Sequence, residues 1–170
     1  MIDIGLWYPK TGHFTMISYS DADYAGCRVD RKSTSGTCQF LRNCLVSWSS
    51  KKQNSVALST AEAEYVAAGA CCAQVLWMKH TLQDYYLKFD HVKILCDNTS
   101  TIHLTKNANQ HSRTKHVDIR YHFLRDHHEK GDIEIDYVST DFQLADIFTK
   151  PFDFNRFSFI RGELNFCIID

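Results

Sequence analysis

Hydrophobic and polar positions along the chain alternate with two different periods. HFTMISYSDAD (13–23) puts Phe14, Met16 and Ser18 on one side and Thr15, Ile17 and Tyr19 on the other, the repeat of a strand, expected to end at Asp21. TCQFLRNCLVSWSS (37–50) reads as two short strands joined at Arg42-Asn43, although the Asn-Gly hairpin signature is missing. The repeat then lengthens to that of a helix, from about Ser59 to Tyr86. VKILCD (92–97) is a buried strand ending at Asp97, TSTIHLTKN (99–107) a short helix, and TKHVDIRYHFLRDHHEK (114–130) a longer helix stopped at Gly131. DIEIDYVS (132–139) is a strand, and DFQLADIFTK (141–150) a final helical turn or two ended by Pro151. Residues 1–12 read as a loop left from an upstream polypeptide, 13–152 as the domain, and 153–170 as an apolar, aromatic tail without a clear place. Three strands, helix, strand, helices, strand, helix is the order of an α/β fold. Its first three strands form an antiparallel meander, and the last two are joined by helical crossovers.

The start of the long helix raises the first chemical question. Ser59-Thr60-Ala61-Glu62 is a capping box, which gives Glu62 a structural task. Residues two apart on a helix project about 200° apart, so Glu62 and Glu64 cannot both face the sheet. Glu64 heads the apolar stripe Ala68, Cys71, Val75, Met78 and Leu82, whereas Glu62 heads the mixed stripe Val66, Gly69, Ala73, Trp77, His80 and Asp84. A carboxylate at the edge of a core needs a partner, either a Lys or Arg or something less ordinary. Asp21 and Asp97 each close a strand, where open sheets place their ligand sites. If those strands are parallel neighbours, Asp21, Glu64 and Asp97 converge. Such an all-oxygen set suits Mg²⁺ or Mn²⁺ rather than zinc.

Composition narrows the field. At 170 residues with 44% hydrophobic content the chain suits a single core, and a formal net charge of −1 provides no overall positive field, so any nucleic-acid surface must be local. No apolar run approaches the roughly 20 residues of a membrane span. MIDIGLWYPK does not read as a charged-then-apolar leader, and the expected location is intracellular. The seven cysteines are scattered without a CxxC pair and read as reduced thiols; Cys71-Cys72 with His122, His127 and His128 lack the spacing of a zinc site.

Together YSDADYAG, RKSTSG, SWSSKKQ, ALSTAEAEYVA, LCDN, RTKH with IRYHFLRD, and QLADIFTKP, in this order over nearly the whole chain, resemble the ribonuclease H domain of the Pol polyprotein of Ty1/copia-type LTR retrotransposons, plant elements above all. The resemblance implies a five-stranded mixed sheet of order 3-2-1-4-5. It also implies cleavage of the RNA strand of an RNA–DNA hybrid with two Mg²⁺ ions, Mn²⁺ being possible, beside the reverse transcriptase domain of the same polyprotein. For an active element the setting is a cytoplasmic virus-like particle. The family's acidic positions fall on Asp21, Glu64, Asp97 and Asp146. Asp146 rests on the resemblance alone, since QLADIFTK by itself reads as an amphipathic turn with one exposed Asp. Asp21, on the central strand, is the expected bridging ligand.

Candidate contacts to 2′ hydroxyls are Ser33, Thr34, Ser35, Gln53 and Asn98, all polar and near strand ends or loops. Candidate phosphate contacts are Arg31, Lys32, Lys51 and Lys52, with Arg113, Lys115 and His116 at a helix start. Ordinary turn, cap and surface roles compete with each of these. Many cellular ribonucleases H follow the first Asp with Gly-Ser; Ala22-Asp23 stand here, and no long basic protrusion is present in WMKHTLQDYYLKFDHVK. Two other readings remain: an inactive remnant that at most binds nucleic acid, and a transposase or integrase of the same fold, for which Glu129 or Glu134 would have to supply the last carboxylate.

Overall fold

The segments of period two pair as their turn chemistry requires. The computed structural model describes residues 4–107 and 115–169, with side chains except over 115–121. Strands β1 (Ile4–Leu6), β2 (Met16–Asp23), β3 (Thr34–Leu41), β4 (Cys44–Lys52), β5 (Val92–Cys96), β6 (Ile133–Tyr137) and β7 (Phe166–Ile168) are joined by helices α1 (Thr60–Gln83), α2 (Thr99–Lys106), α3 (Lys115–Glu129) and α4 (Phe154–Glu163). Five strands form one sheet in the order β4-β3-β2-β5-β6, which is 3-2-1-4-5 counted from its first strand. β2, β3 and β4 are antiparallel neighbours; β5 runs parallel to both β2 and β6.

The hairpin between β3 and β4 closes at Arg42-Asn43 without glycine. Both residues take positive φ, 57° and 59°, as a two-residue primed turn demands. Arg42 is held there by stacking 4.5 Å over the Phe14 ring and by donating to the Lys10 carbonyl. β3 begins three residues before its expected start, and β4 runs two residues past its expected end. Ladder hydrogen bonds recruit Thr34, Ser35, Gly36, Lys51 and Lys52, whose composition alone suggests a loop.

α1 starts as its capping box specifies. Ser59 Oγ accepts from Glu62 N at 3.1 Å, and Glu62 Oε2 accepts from the amide of Leu58, one residue before the cap. The helix packs its buried face, including Tyr65, Ala68, Cys71, Val75 and Met78, on Met16, Val92, Ile94 and Ile135 of the sheet. α3 ends at Gly131 with φ 77°, the left-handed position expected for a C-terminal stop.

The chain ends differ most from the sequence expectation. Ile4–Leu6, expected as loop, pairs antiparallel with Phe166–Ile168, expected as unplaced tail. Between them α4, capped by Asp153 Oδ1 on the amides of Asn155 and Arg156, buries Ile160 and Leu164. These join Cys38, Phe40, Leu45 and Leu144 in a second core on the sheet face opposite α1. A strand of three residues carries too little alternation to be seen in sequence, and only pairing across the length of the chain defines it.

Candidate active site

β2 and β5 place two carboxylates side by side. Their parallel register pairs Tyr19 with Leu95, and continuing it by two residues sets Asp21 opposite Asp97. Both lie at the C-terminal ends of adjacent central strands, where side chains open into a crevice. Odd-numbered β2 residues face the second core, where Tyr19 packs, and even-numbered ones face α1, where Ala22 contacts Ala63 and Ala67. Glu64 approaches from the α1 side, in the first turn and a half of the helix, and its Oε1 accepts from the backbone amide of Ala22 at 3.2 Å. Its Oε2 meets only the Cys96 thiol, at 4.0 Å, among the hydrogen bonds of the described residues. Asp146 approaches from the other side, on a 3₁₀ turn (Leu144–Phe148), and is buried rather than exposed.

Two features of the sheet admit that turn. Gly36 faces Asp21 across the β2–β3 ladder, and a Cβ there would lie 2.6 Å from Thr149 Cγ2 and 2.7 Å from the Ala145 carbonyl. Its missing side chain is the space the turn occupies. Gln143, fully buried, donates through Nε2 to the Ser20 carbonyl and accepts from Ala145 N, which ties the turn to β2 next to Asp21. Thr149 Oγ1 then donates a short hydrogen bond to Asp21 Oδ2, and Thr140 Oγ1 donates to Asp97 Oδ2 at 2.9 Å.

Burial and mutual repulsion raise three of these carboxyls, Glu64, Asp21 and Asp97. Burial first, then the Asp21 and Asp97 charges, push the Glu64 carboxyl up to about 9. Burial raises Asp21 to about 6, with Asp146 adding to the rise while Thr149 and Lys150 oppose it. Asp97 is also raised, chiefly by burial. Ligand atoms of Asp21, Asp97 and Asp146 lie within 4.8 Å of one another, and so do those of Glu64, Cys96 and Asp97. Asp97 is common to both sets. Asp146 Oδ1 is buried, and its partner is the Lys150 ammonium 2.9 Å away. Lys150 is also 3.9 Å from Asp21 Oδ2, and Arg156 is 3.8 Å from Asp146 Oδ2. Burial disfavours the Lys150 ammonium, yet Asp146, Asp21 and Asp97 together hold its pKa above the ordinary lysine value.

The expected nucleic-acid contacts separate into inner and outer groups. Ser33 is fully buried, its Oγ accepting from Ala25 N, while Gln53 Nε2 donates to Ser35 Oγ and to the Ala63 carbonyl from a buried position. Asn98 caps α2 through Oδ1 on the Thr101 amide, and Thr34 pairs with Lys52 in the β3–β4 ladder. Lys52 is committed to Asp30 at 2.7 Å. Lys51 stays exposed along a groove of about 400 Å³ that Ser35, Gln53, Gly69 and Phe123 also line. Arg31 and Lys32 lie in the loop before β3, where Arg31 takes φ 55°. Arg113 lies outside the described residues, and Lys115 and His116 open α3 with side chains that are not described.

Sequence reasoning missed Gly36, Gln143, Thr149, Lys150 and Arg156. Two of them had a signal: Thr149 and Lys150 sit in QLADIFTKP at three and four residues from Asp146, the spacing of one helical turn.

The sequence is 39% identical over 143 residues to the retrovirus-related Pol polyprotein from transposon TNT 1-94 of Nicotiana tabacum, covering 84% of this chain and 11% of that protein. It is 37% identical over 150 residues to the corresponding polyprotein from transposon RE2 of Arabidopsis thaliana, covering 88% of this chain and 10% of that one. The chain therefore spans about a tenth of the length of these curated relatives. No family model matches it. Among solved structures, LC11-RNase H1, isolated from compost, aligns with a TM-score of 0.59 at 14% identity over 79% of this chain and 92% of its own. RNase H1 from Halobacterium salinarum aligns with 0.55 at 15%, over 79% and 94%. In sequence the chain is a homologue of one segment of the Pol polyproteins of plant copia-type retrotransposons, and in architecture it is a ribonuclease H fold.

Proposed function

We propose that this chain hydrolyses the RNA strand of RNA–DNA hybrids as the ribonuclease H segment of a retrotransposon Pol polyprotein, using two divalent ions held by Asp21, Glu64, Asp97 and Asp146. The observation that carries the reading is the convergence of these four carboxylates at the ends of two parallel central strands, with ligand atoms within 4.8 Å in two overlapping sets. The residues fit a pair of hard cations. The oxygen donors are the four carboxylates, since burial raises the Cys96 thiol that completes the Glu64–Asp97 set and disfavours its thiolate, and Glu64 and Asp21 are raised by burial and crowding that a cation would relieve. Mg²⁺ fits this donor set, as does Mn²⁺.

When bound, the ions supply an activated water and neutralise the charge that develops on the leaving oxygen. The chain's own residues do the positioning. Asp21, Glu64, Asp97 and Asp146 would hold the ions, with Asp21 on the central strand. Ala22 N fixes the orientation of Glu64, Thr140 that of Asp97, and Thr149 that of Asp21. Lys51 and the groove it borders would receive a backbone phosphate, and the half-buried Thr34 and Asn98 near strand ends would read 2′ hydroxyls. LC11-RNase H1, which shares the fold, has been solved in complex with an RNA/DNA hybrid. The relatives' other polyprotein segments, including the reverse transcriptase, are the proposed partners in the same chain.

The test is cleavage of an end-labelled hybrid by the 170-residue chain with Mg²⁺ or Mn²⁺, beside an Asp97→Asn variant and a DNA duplex. Metal-dependent cutting of the RNA strand alone, lost in the variant, is the expected result. Absence of cutting from a folded sample, alone and when fused to a reverse transcriptase segment, would favour the inactive remnant.

A further inference from the structure

The carboxylate cluster is not evenly supplied with positive charge. Lys150 places its ammonium 2.9 Å from Asp146 Oδ1 and 3.9 Å from Asp21 Oδ2, between two members of the Asp21–Asp97–Asp146 set. The contact with Asp146 is a close ion pair, and the same ammonium also feels the Asp21 and Asp97 charges, so it sits as a compact cation in a negative pocket. Its side chain is 36% exposed, while those of Asp21 and Asp146 are 2% and 1% exposed, so the ammonium reaches inward from a rim open to water. The 3₁₀ turn ends at Phe148 and Lys150 follows it two residues on, ahead of an exposed Pro151, so its side chain enters the cluster from the edge of the turn. Glu64 makes no ion pair among the described residues.

We infer that Lys150 is a displaceable internal cation: it stands in for a divalent ion between Asp21 and Asp146, competes with that ion for the site, and swings outward when the ion binds. The inference rests on reading these carboxylates as metal ligands. Physically, an ion approaching Asp21 and Asp146 must first dislodge a charge already attracted to both, which weakens its apparent affinity. The metal-free chain gains in return, because two buried carboxylates are not left facing each other uncompensated. Arg156 does not duplicate the role. Its Nη1 and Nη2 are spent on the carbonyls of Asp141 and Thr140, and its distance to Asp146 is 3.8 Å.

The experiment reads metal binding without nucleic acid, so it does not depend on cleavage. Mn²⁺ affinity is measured by electron paramagnetic resonance for the full chain and for Lys150→Gln and Lys150→Arg, each checked for native circular dichroism. Lys150→Gln is expected to bind Mn²⁺ about tenfold more tightly and to melt earlier without metal, while Lys150→Arg, keeping the charge, stays near the parent. In the unmodified chain, acetylation of Lys150 mapped by peptide mass spectrometry is expected to become several-fold faster on adding Mg²⁺. That second readout holds even if the Gln variant fails to fold. Equal or weaker Mn²⁺ binding by a folded Lys150→Gln, or a Lys150 acetylation rate that Mg²⁺ leaves unchanged or lowers, overturns the inference alone. Absence of Mn²⁺ binding by the parent and both variants overturns it together with the metal reading on which it rests.

Discussion

The two flanks of the carboxylate cluster answer the same electrostatic problem in different ways. On the α1 flank, Glu64 has an amide and a thiol for partners and no ion pair among the described residues, and its carboxyl is pushed up to about 9, so without metal it is neutralised by a proton. On the opposite flank, Asp146 and Asp21 share Lys150, with Arg156 behind, and are neutralised by a side chain. The difference follows from what each scaffold can bring. The second turn of a helix buried on the sheet offers mostly apolar neighbours, whereas a short 3₁₀ turn at the sheet rim keeps long cationic side chains within reach of water. The Glu64 flank is therefore relieved by a proton and the opposite flank mainly by a lysine charge, with Asp21, raised to about 6, adding its own response to pH.

The strongest test of the contrast removes the residue common to both flanks. Asp97→Asn is expected to lower metal-dependent cleavage by at least about 10²–10³-fold, the scale for losing one preorganised electrostatic group, as read by single-turnover cleavage of a labelled hybrid. Glu64→Gln should match it in activity while leaving the fold intact. Next in size, Gly36→Ala drives a methyl into Thr149 and the Ala145 carbonyl, and is expected to cost about 1–3 kcal/mol in urea unfolding. It should weaken Mn²⁺ binding while leaving the Glu64–Ala22 contact in place, because it strikes the Asp146 flank alone.

A pH experiment addresses the other flank. Glu64 holds a proton in the folded chain up to about 9 against an ordinary 4.5, so the folded state binds the extra proton between those values. Stability of the metal-free chain is accordingly expected to be greatest below about 4.5 as far as this group is concerned, and to fall as pH rises toward about 9. Glu64→Gln should flatten that slope and raise the melting temperature at pH 8, and Mg²⁺ should stabilise the parent more at pH 8 than at pH 5.5. A slope unchanged in the variant would assign the pH dependence elsewhere. Smallest of all, Glu62→Gln keeps the capping geometry and is expected to change unfolding by less than about 0.5 kcal/mol with activity retained. A large activity loss there with none at Glu64 would reverse the helix phase on which the comparison stands.

The helix phase that separates Glu64 from Glu62 and the ends of β2 and β5 near Asp21 and Asp97 were legible in the linear pattern, because period and capping are local properties, whereas the strand order 3-2-1-4-5 came from the family resemblance. The same locality limits what the pattern tells. Asp146 looks like an exposed residue on an amphipathic turn until Gln143 clamps that turn to Ser20. Gly36 looks like a loop glycine until the register sets it across from Asp21. Ser33 and Gln53 look like surface polar groups, yet both are buried and engaged by backbone atoms.

By itself, then, the sequence determined which segments would be the main strands and helices, which glutamate would turn inward, and that Asp21 and Asp97 would close strands from which they could meet Glu64 if those strands were parallel neighbours. Tertiary structure alone decided how their charge is balanced. It joined Ile4–Leu6 to Phe166–Ile168, folded α4 over the second face of the sheet, and brought Thr149 and Lys150 onto Asp21, residues 128 and 129 positions apart in the chain. Coulomb and hydrogen-bond energies depend on separation in space, and no periodicity in sequence encodes a distance closed by packing across the whole chain.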